Sequence, residues 1–115
     1  MKINNPLILV AACISLAGGC EKTTTTVPEC VTERITTLQN EPKKNPPVEI
    51  WTYEYHGKTI YLIPSYCCDV PSIAIDQNCN SICSPDGGIS GNGDGQCTLF
   101  YKEARKMSLI WKDER

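Results

Sequence analysis

The chain has 115 residues, with 11 basic and 13 acidic side chains, a formal charge of −2, and 8 cysteines. So even a balance, without a stripe of Lys or Arg, excludes the electrostatic footprint of a nucleic-acid binder and of a protein drawn to anionic lipid. The length allows one small domain with a limited core, which covalent staples would help to hold.

Met1-Lys2 is a minimal positive start, and Pro6 to Ala17 carries Leu7, Ile8, Leu9, Val10, Ala11, Ala12, Ile14 and Leu16. A membrane-spanning helix needs about 20 apolar residues. This run stops short at Gly18-Gly19 and reads as a cleaved secretory signal. Leu16-Ala17-Gly18-Gly19-Cys20 resembles a bacterial lipobox, with Ala17 where Leu is commonest and Leu16 one step early. In that reading the Cys20 thiol carries the lipid (palmitate) and the chain is cut before it. The alternative is an ordinary signal with an incidental cysteine. Several acyl chains hold a protein where one alone is marginal. The expected location is therefore the cell envelope, periplasmic or surface-exposed, with the membrane as partner through the anchor. Glu21, in place of a retention-type Asp, favours the outer membrane by analogy with enteric bacteria.

Losing residues 1–19, and with them Lys2, leaves 96 residues with 10 basic and 13 acidic side chains, a net −3. Residues 20–27, dominated by Thr23 to Thr26, read as the lipidated cysteine and a polar tether. Residues 28–115 read as a single disulfide-rich domain. Cys13 leaves with the signal and Cys20 takes the lipid. Cys30, Cys67, Cys68, Cys79, Cys83 and Cys97 remain, an even number in a small exported domain. Adjacent Cys67 and Cys68 are each expected to bond elsewhere, one to Cys30 and the other into the Cys79–Cys97 region. A zinc site built from Cys67, Cys68, Cys79 and Cys83 is the alternative, opposed by an oxidising compartment.

Pro28 to Asn40 reads as a helix, with Val31, Ile35 and Leu38 at i, i+4 and i+7. Pro28 suits the first turn, and Glu29 and Glu33 suit the positive N-terminal end. Asn40 offers a left-handed stop before Glu41-Pro42. Pro42 to Pro47 is a rigid connector. Beyond it the period becomes two: Val48 to Tyr55 and Lys58 to Ile63 alternate around His56-Gly57, a β-hairpin in which Gly57 supplies positive φ. A two-residue turn puts Trp51, Tyr53, Tyr55, Ile60 and Leu62 on one face. Val48, Ile50, Thr52, Tyr61 and Ile63 share the other. The aromatics read as core and cross-strand pairing ahead of a ligand platform.

Ser72 to Asp76 reads as a third strand, 76–78 as a turn and Ser81 to Cys83 as a short return. Five glycines between Ser84 and Gly95 exclude a regular element and predict a tight loop bracketed by Cys83 and Cys97. Thr98 to Lys106 reads as a short helix with Phe100 and Ala104 inward, followed by a last strand over Ser108 to Lys112. A single helix through Trp111 is the alternative.

The loop is the leading candidate for chemistry. Asp86, Asn92 and Asp94 offer oxygen ligands, and counting from Asn92 the twelfth position is Glu103, as in an EF-hand loop. The sixth position is Cys97 instead of glycine, so that match fails. A calcium site of another kind is weighed against Asp and Asn capping turns. No Lys-Ser/Thr follows the glycines, so this is not a phosphate-binding P-loop. A disulfide-braced loop also suits a small inhibitor that presents a pre-ordered segment. His56 has no nucleophile or orienting group at a telling spacing and reads as a turn residue. Cys-x-x-Cys is absent, which argues against thiol redox chemistry.

The segments Tyr-Glu-Tyr-His-Gly-Lys-Thr-Ile-Tyr (53–61), Cys-Cys-Asp (67–69), Ile-Cys-Ser-Pro-Asp-Gly-Gly-Ile-Ser-Gly-Asn-Gly-Asp-Gly-Gln-Cys (82–97) and Leu-Ile-Trp-Lys-Asp-Glu-Arg (109–115) resemble a family of uncharacterised domains, mostly short lipoproteins of the Bacteroidota. The resemblance runs from about Pro28 onward and implies glycine or another turn residue where Cys79 stands. It carries no activity.

The expected fold is α+β: a short N-terminal helix on a three- or four-stranded antiparallel sheet, with disulfides and a Gly-rich loop. The expected function is a membrane-anchored, non-enzymatic binding or interaction module of the envelope, with an envelope or extracellular protein as partner and no cofactor. The alternative is a small inhibitor or calcium-binding module acting through residues 84–96.

Overall fold

The computed structural model describes residues 26–65 and 69–115. The leader, Cys20, the tether before Thr26, and Cys67 and Cys68 lie outside the described residues. Within them the order is helix α1 (Glu29–Gln39), strands β1 (Glu49–Tyr55), β2 (Lys58–Ile63), β3 (Ile73–Asp76) and β4 (Ser81–Cys83), helix α2 (Phe100–Glu103) and strand β5 (Arg105–Lys112). The strands form one antiparallel sheet in the order β4-β3-β2-β1-β5. The α+β class stands, and the sheet has five strands where three or four are expected. No helix among the described residues is long and apolar enough to cross a membrane.

The hairpin follows the period-two pattern, with Trp51 opposite Leu62, Thr52 opposite Tyr61 and Tyr53 opposite Ile60. His56 and Gly57 both take positive φ, 50° and 79°, the twist a two-residue turn needs to match its strands. Alternation then gives the sheet two buried faces. On one, Val48, Ile50, Tyr61 and Ile63 pack with Val31 and Leu38 of α1. On the other, Tyr55, Ile60, Leu62 and Ala74 pack with Cys83, Cys97 and Phe100. Each face carries a buried cluster, as the apolar character of both stripes requires.

Helix α1 begins after Pro28, whose carbonyl accepts from the amides of Val31 and Thr32 at 3.0 and 3.2 Å. Its end differs from expectation. Asn40 sits at φ −94°, not in the left-handed region. The Thr36, Thr37 and Leu38 carbonyls accept from the amides of Asn40 and Glu41, and Arg115 adds distant donors: Nη1–H to Gln39 O at 3.0 Å and Nη2–H to Leu38 O at 3.3 Å. A guanidinium there also complements the negative end of the helix. Buried Asp113 holds that guanidinium with bonds of 2.9 and 2.7 Å.

The disulfides correct the expected pairing. Cys30 bonds Cys79, and Cys83 bonds Cys97. Cys30 is therefore not tied to Cys67 or Cys68, and Cys79 and Cys83 are not thiolates available to zinc. Cys79 takes φ +67°, so its position has the geometry of a turn residue, as the family resemblance implies. The carboxylate of Asp76 shapes this turn, accepting from the amides of Asn78 and Asn80 at 2.9 and 2.8 Å.

The C-terminal region is also redrawn. Helix α2 is one turn, and β5 starts at Arg105, three residues before the expected strand. A continuous helix through Trp111 is overturned. The open edge of β1 offers backbone partners to this stretch. Two register shifts let eight residues of β5 follow a shorter path along β1, as bulges do.

Candidate functional site

The Gly-rich loop is built from backbone geometry. Gly87, Gly88, Gly91, Gly93 and Gly95 all have positive φ. Gly93 is the tightest point: a Cβ there would lie 1.8 Å from the Ser84 carbonyl oxygen. Amides close the loop on itself, Gly93 to Gly87 O and Asp94 to Ser84 O, each at 3.0 Å. The Cys83–Cys97 bond closes its base. Ser72, almost fully buried, anchors the loop to the sheet, its amide donating to Asp86 O at 3.0 Å while its hydroxyl accepts from the Asp86 amide at 3.3 Å.

The three acidic and amide candidates in the loop have separate roles. The Asp86 carboxylate accepts from the Tyr101 hydroxyl. Asp94 accepts from the Gln96 amide at 2.9 Å, a turn cap. The Asn92 amide bonds the Ser90 hydroxyl at 3.1 Å. Among the described residues no three His, Cys, Asp or Glu side chains gather as a metal-holding group. Glu103, the twelfth position of the EF-hand count, lies 3.0 Å from His56 Nε2. His56 stacks on Tyr55 at 3.9 Å between ring centroids, which supports the expected turn role.

Asp86 leads to a surface that the sequence reading passes over. On the face of the sheet opposite α1, Tyr55 is buried in the core as expected, while Trp51 and Tyr53 are only half-buried. Tyr101 on α2 is 53% exposed. These three rings line an open groove of about 360 Å³, whose walls are completed by Pro46, Pro47 and Pro64. Tyr53 and Tyr101 meet edge to face at 6.5 Å, and Phe100 supports Tyr53 from the core at 5.2 Å. Strand β1 and the tethered one-turn helix α2 thus hold the rings at fixed spacing. Burial, followed by the nearby Asp86 charge, raises the Tyr53 pKa. The Tyr101 pKa is raised more strongly, by burial first and then by its bond to the same carboxylate. Both hydroxyls stay protonated as donors at neutral pH.

The ionic groups at the groove mouth are arranged around Trp51. Its indole Nε1–H donates to Glu49 Oε1 at 2.8 Å. Lys106 Nζ lies 4.2 Å from the ring centroid, in cation–π range. Lys112 Nζ stands 3.8 Å from Glu49 Oε2. Nothing here pairs a nucleophile with a base. The arrangement suits holding a ligand: flat apolar rings flanked by a few placed polar groups.

A larger concavity, about 480 Å³, lies on the α1 face near the hairpin tip. Its one aromatic, Tyr61, commits its hydroxyl to Gln77 at 3.0 Å, and its charged pair Glu54–Arg105 is exposed. It offers less ring surface and less convergent chemistry than the Trp51 groove, so the smaller site is the stronger candidate. The missed signal was Trp51 and Tyr53 on alternate positions of one strand. Their exposure depends on where α2 lies, which no local pattern specifies.

These features define a small, disulfide-stapled α+β domain with a braced Gly-rich loop and an open aromatic groove. A family described as a domain of unknown function, DUF6970, matches residues 36–113, and the chain belongs to that family. The matched span contains the whole sheet and starts inside α1, so Cys30 lies outside it while its partner Cys79 lies within. No curated protein and no solved structure matches the chain.

Proposed function

We propose that this protein is a membrane-anchored lipoprotein of the cell envelope that acts as a non-enzymatic binding module, with the Trp51–Tyr53–Tyr101 groove as its binding surface. The observation that carries the reading is the open groove itself, where three aromatic rings stand at a fixed spacing on a face that is otherwise packed. The lipobox-like run ending at Cys20 supports the anchor. Two disulfides are compatible with an extracytoplasmic compartment. The resemblance to short lipoproteins of the Bacteroidota agrees with both, and the outer membrane is the favoured site.

Two variants test the two halves separately. Cys20→Ser should move the full-length protein from the membrane to the soluble fraction, and retention in the membrane removes the anchor. Trp51→Ala, with Cys20 intact, should stay membrane-bound and lose the partners that the wild-type protein captures from envelope extract. Undiminished capture removes the groove.

A second reading keeps the loop as the recognition element, in the manner of a small inhibitor. Ile89 favours it: this side chain is 92% exposed. It sits in a turn closed by the Gly91 amide on Gly88 O at 3.2 Å. That geometry presents one apolar knob, not an extended substrate-like segment. Ile89→Asp would abolish partner capture in this reading and leave it unchanged in the first.

A further inference from the structure

We propose that the Trp51–Tyr53–Tyr101 groove takes a neutral saccharide, with pyranose rings laid against the aromatic surface and ring hydroxyls on Glu49 and Lys106. The proposal rests on the groove being the binding surface and adds the class of ligand.

The donor and acceptor inventory of the groove decides between ligand classes. Two of its three aromatic donors are already committed, Trp51 Nε1–H to Glu49 and Tyr101 O–H to Asp86, and the Tyr53 hydroxyl is the third. A proline-rich peptide presents carbonyl acceptors and depends on such aromatic donors in a ring-lined groove. Here two of those donors point to carboxylates, and a ligand of carbonyl acceptors leaves the acceptor capacity of Glu49 unmet. A cationic peptide would seek the face of Trp51, where Lys106 already stands at 4.2 Å. An anionic ligand would meet the carboxylates of Glu49 and Asp86.

A neutral saccharide brings no charge for Lys106, Glu49 or Asp86 to repel. Its hydroxyls both donate and accept. A carboxylate has about four acceptor sites, so Glu49 retains capacity beyond its hydrogen bond to Trp51 and its ion pair with Lys112. The Lys106 ammonium has three donors. The C–H faces of a pyranose are apolar and flat, matching exposed Tyr101 and half-buried Tyr53, beside the Trp51 ring that Lys106 overlies. The groove is open and walled by three prolines that lose little entropy on contact.

The test uses the full mature chain carrying Trp111→Phe, so that Trp51 is the only indole reporting. The probes are a β-1,4-linked glucose hexamer, an N-acetylglucosamine hexamer, a proline-rich decapeptide and an oligolysine, each to about 10 mM, the range where weak stacking contacts register. The expected result is saturable quenching or shift of Trp51 fluorescence by at least one saccharide. Tyr101→Ala and Glu49→Ala should each weaken it about tenfold, the size expected for one stacking or charge-assisted contact. Unchanged thermal melting of these variants shows that the fold persists. Lys106→Met, which removes the ammonium but keeps an apolar stem, should also weaken binding without touching the core. A response to a peptide alone overturns the saccharide and leaves the groove as a binding surface. Silence with all four probes, or saccharide binding indifferent to Tyr101 and Glu49, overturns the proposal.

Discussion

The hydroxyl of Tyr101 donates to the carboxylate of Asp86 across fifteen positions of chain, joining the Gly-rich loop to the wall of the aromatic groove. The loop is thereby a brace: its Asp86 carboxylate fixes the most exposed ring of the groove.

That bond has a titration signature. Tyr53 and Tyr101 lose their protons above the ordinary tyrosine value near 10. The folded state therefore favours the protonated phenols, and their contribution to stability is constant below pH 10 and declines as pH rises beyond it. Asp86→Ala should lower both phenol transitions toward the ordinary value, read from ultraviolet absorbance during alkaline titration. Transitions indifferent to Asp86 would break the link.

Gly93 and Gly91 have similar left-handed φ, 66° and 83°, yet different surroundings. At Gly91 an added Cβ meets open space, so Gly91→Ala should cost about 1–2 kcal/mol for the backbone conformation alone. At Gly93 it collides with the Ser84 carbonyl. Gly93→Ala should cost more than about 4 kcal/mol, in the range reserved for severe packing faults. Urea unfolding of both variants gives the comparison, and equal losses would contradict the loop geometry.

The two disulfides span 49 and 14 positions. Loop-closure entropy predicts that Cys30→Ser/Cys79→Ser loses about 4 kcal/mol and Cys83→Ser/Cys97→Ser about 3 kcal/mol. Peptide mapping without reductant should recover the Cys30–Cys79 and Cys83–Cys97 pairs. Recovery of Cys30 joined to Cys67 or Cys68 would overturn the pairing.

Asp113 is held ionised chiefly by the Arg115 guanidinium, which lowers its pKa from 3.8 to about 2. A lowered folded-state pKa stabilises the fold above the unfolded value, and that share is lost as pH falls through the folded value. Asp113→Asn should therefore melt below the wild type at pH 7, with the gap closing between about pH 4 and pH 2. A gap independent of pH would assign the loss to packing.

The hairpin and α1 were legible because their signals are local. Trp51 to Ile63 alternates around a two-residue turn, and Val31, Ile35 and Leu38 lie on one stripe. The Gly-rich loop was legible for the same reason, since five glycines between Ser84 and Gly95 exclude regular structure wherever they sit. Arg105 to Met107 misled, because a helical reading of 98–106 ignores the free edge of β1 that β5 fills. Trp51 and Tyr53 read as core in the sequence because periodicity reports which residues share a face, not how far that face is covered.

From its own residues, then, the chain determined the α+β class, the element order, the apolar stripes and the need for staples. Each follows from short-range spacing and backbone preference. Tertiary structure alone decided that Cys30 meets Cys79, that Arg115 caps a helix ending 76 positions earlier at Gln39, and that Asp86 holds Tyr101 at the rim of an open groove. Those contacts join elements whose separation along the chain carries no information about their approach in space. They are fixed by how the elements on the two faces of one sheet pack against it.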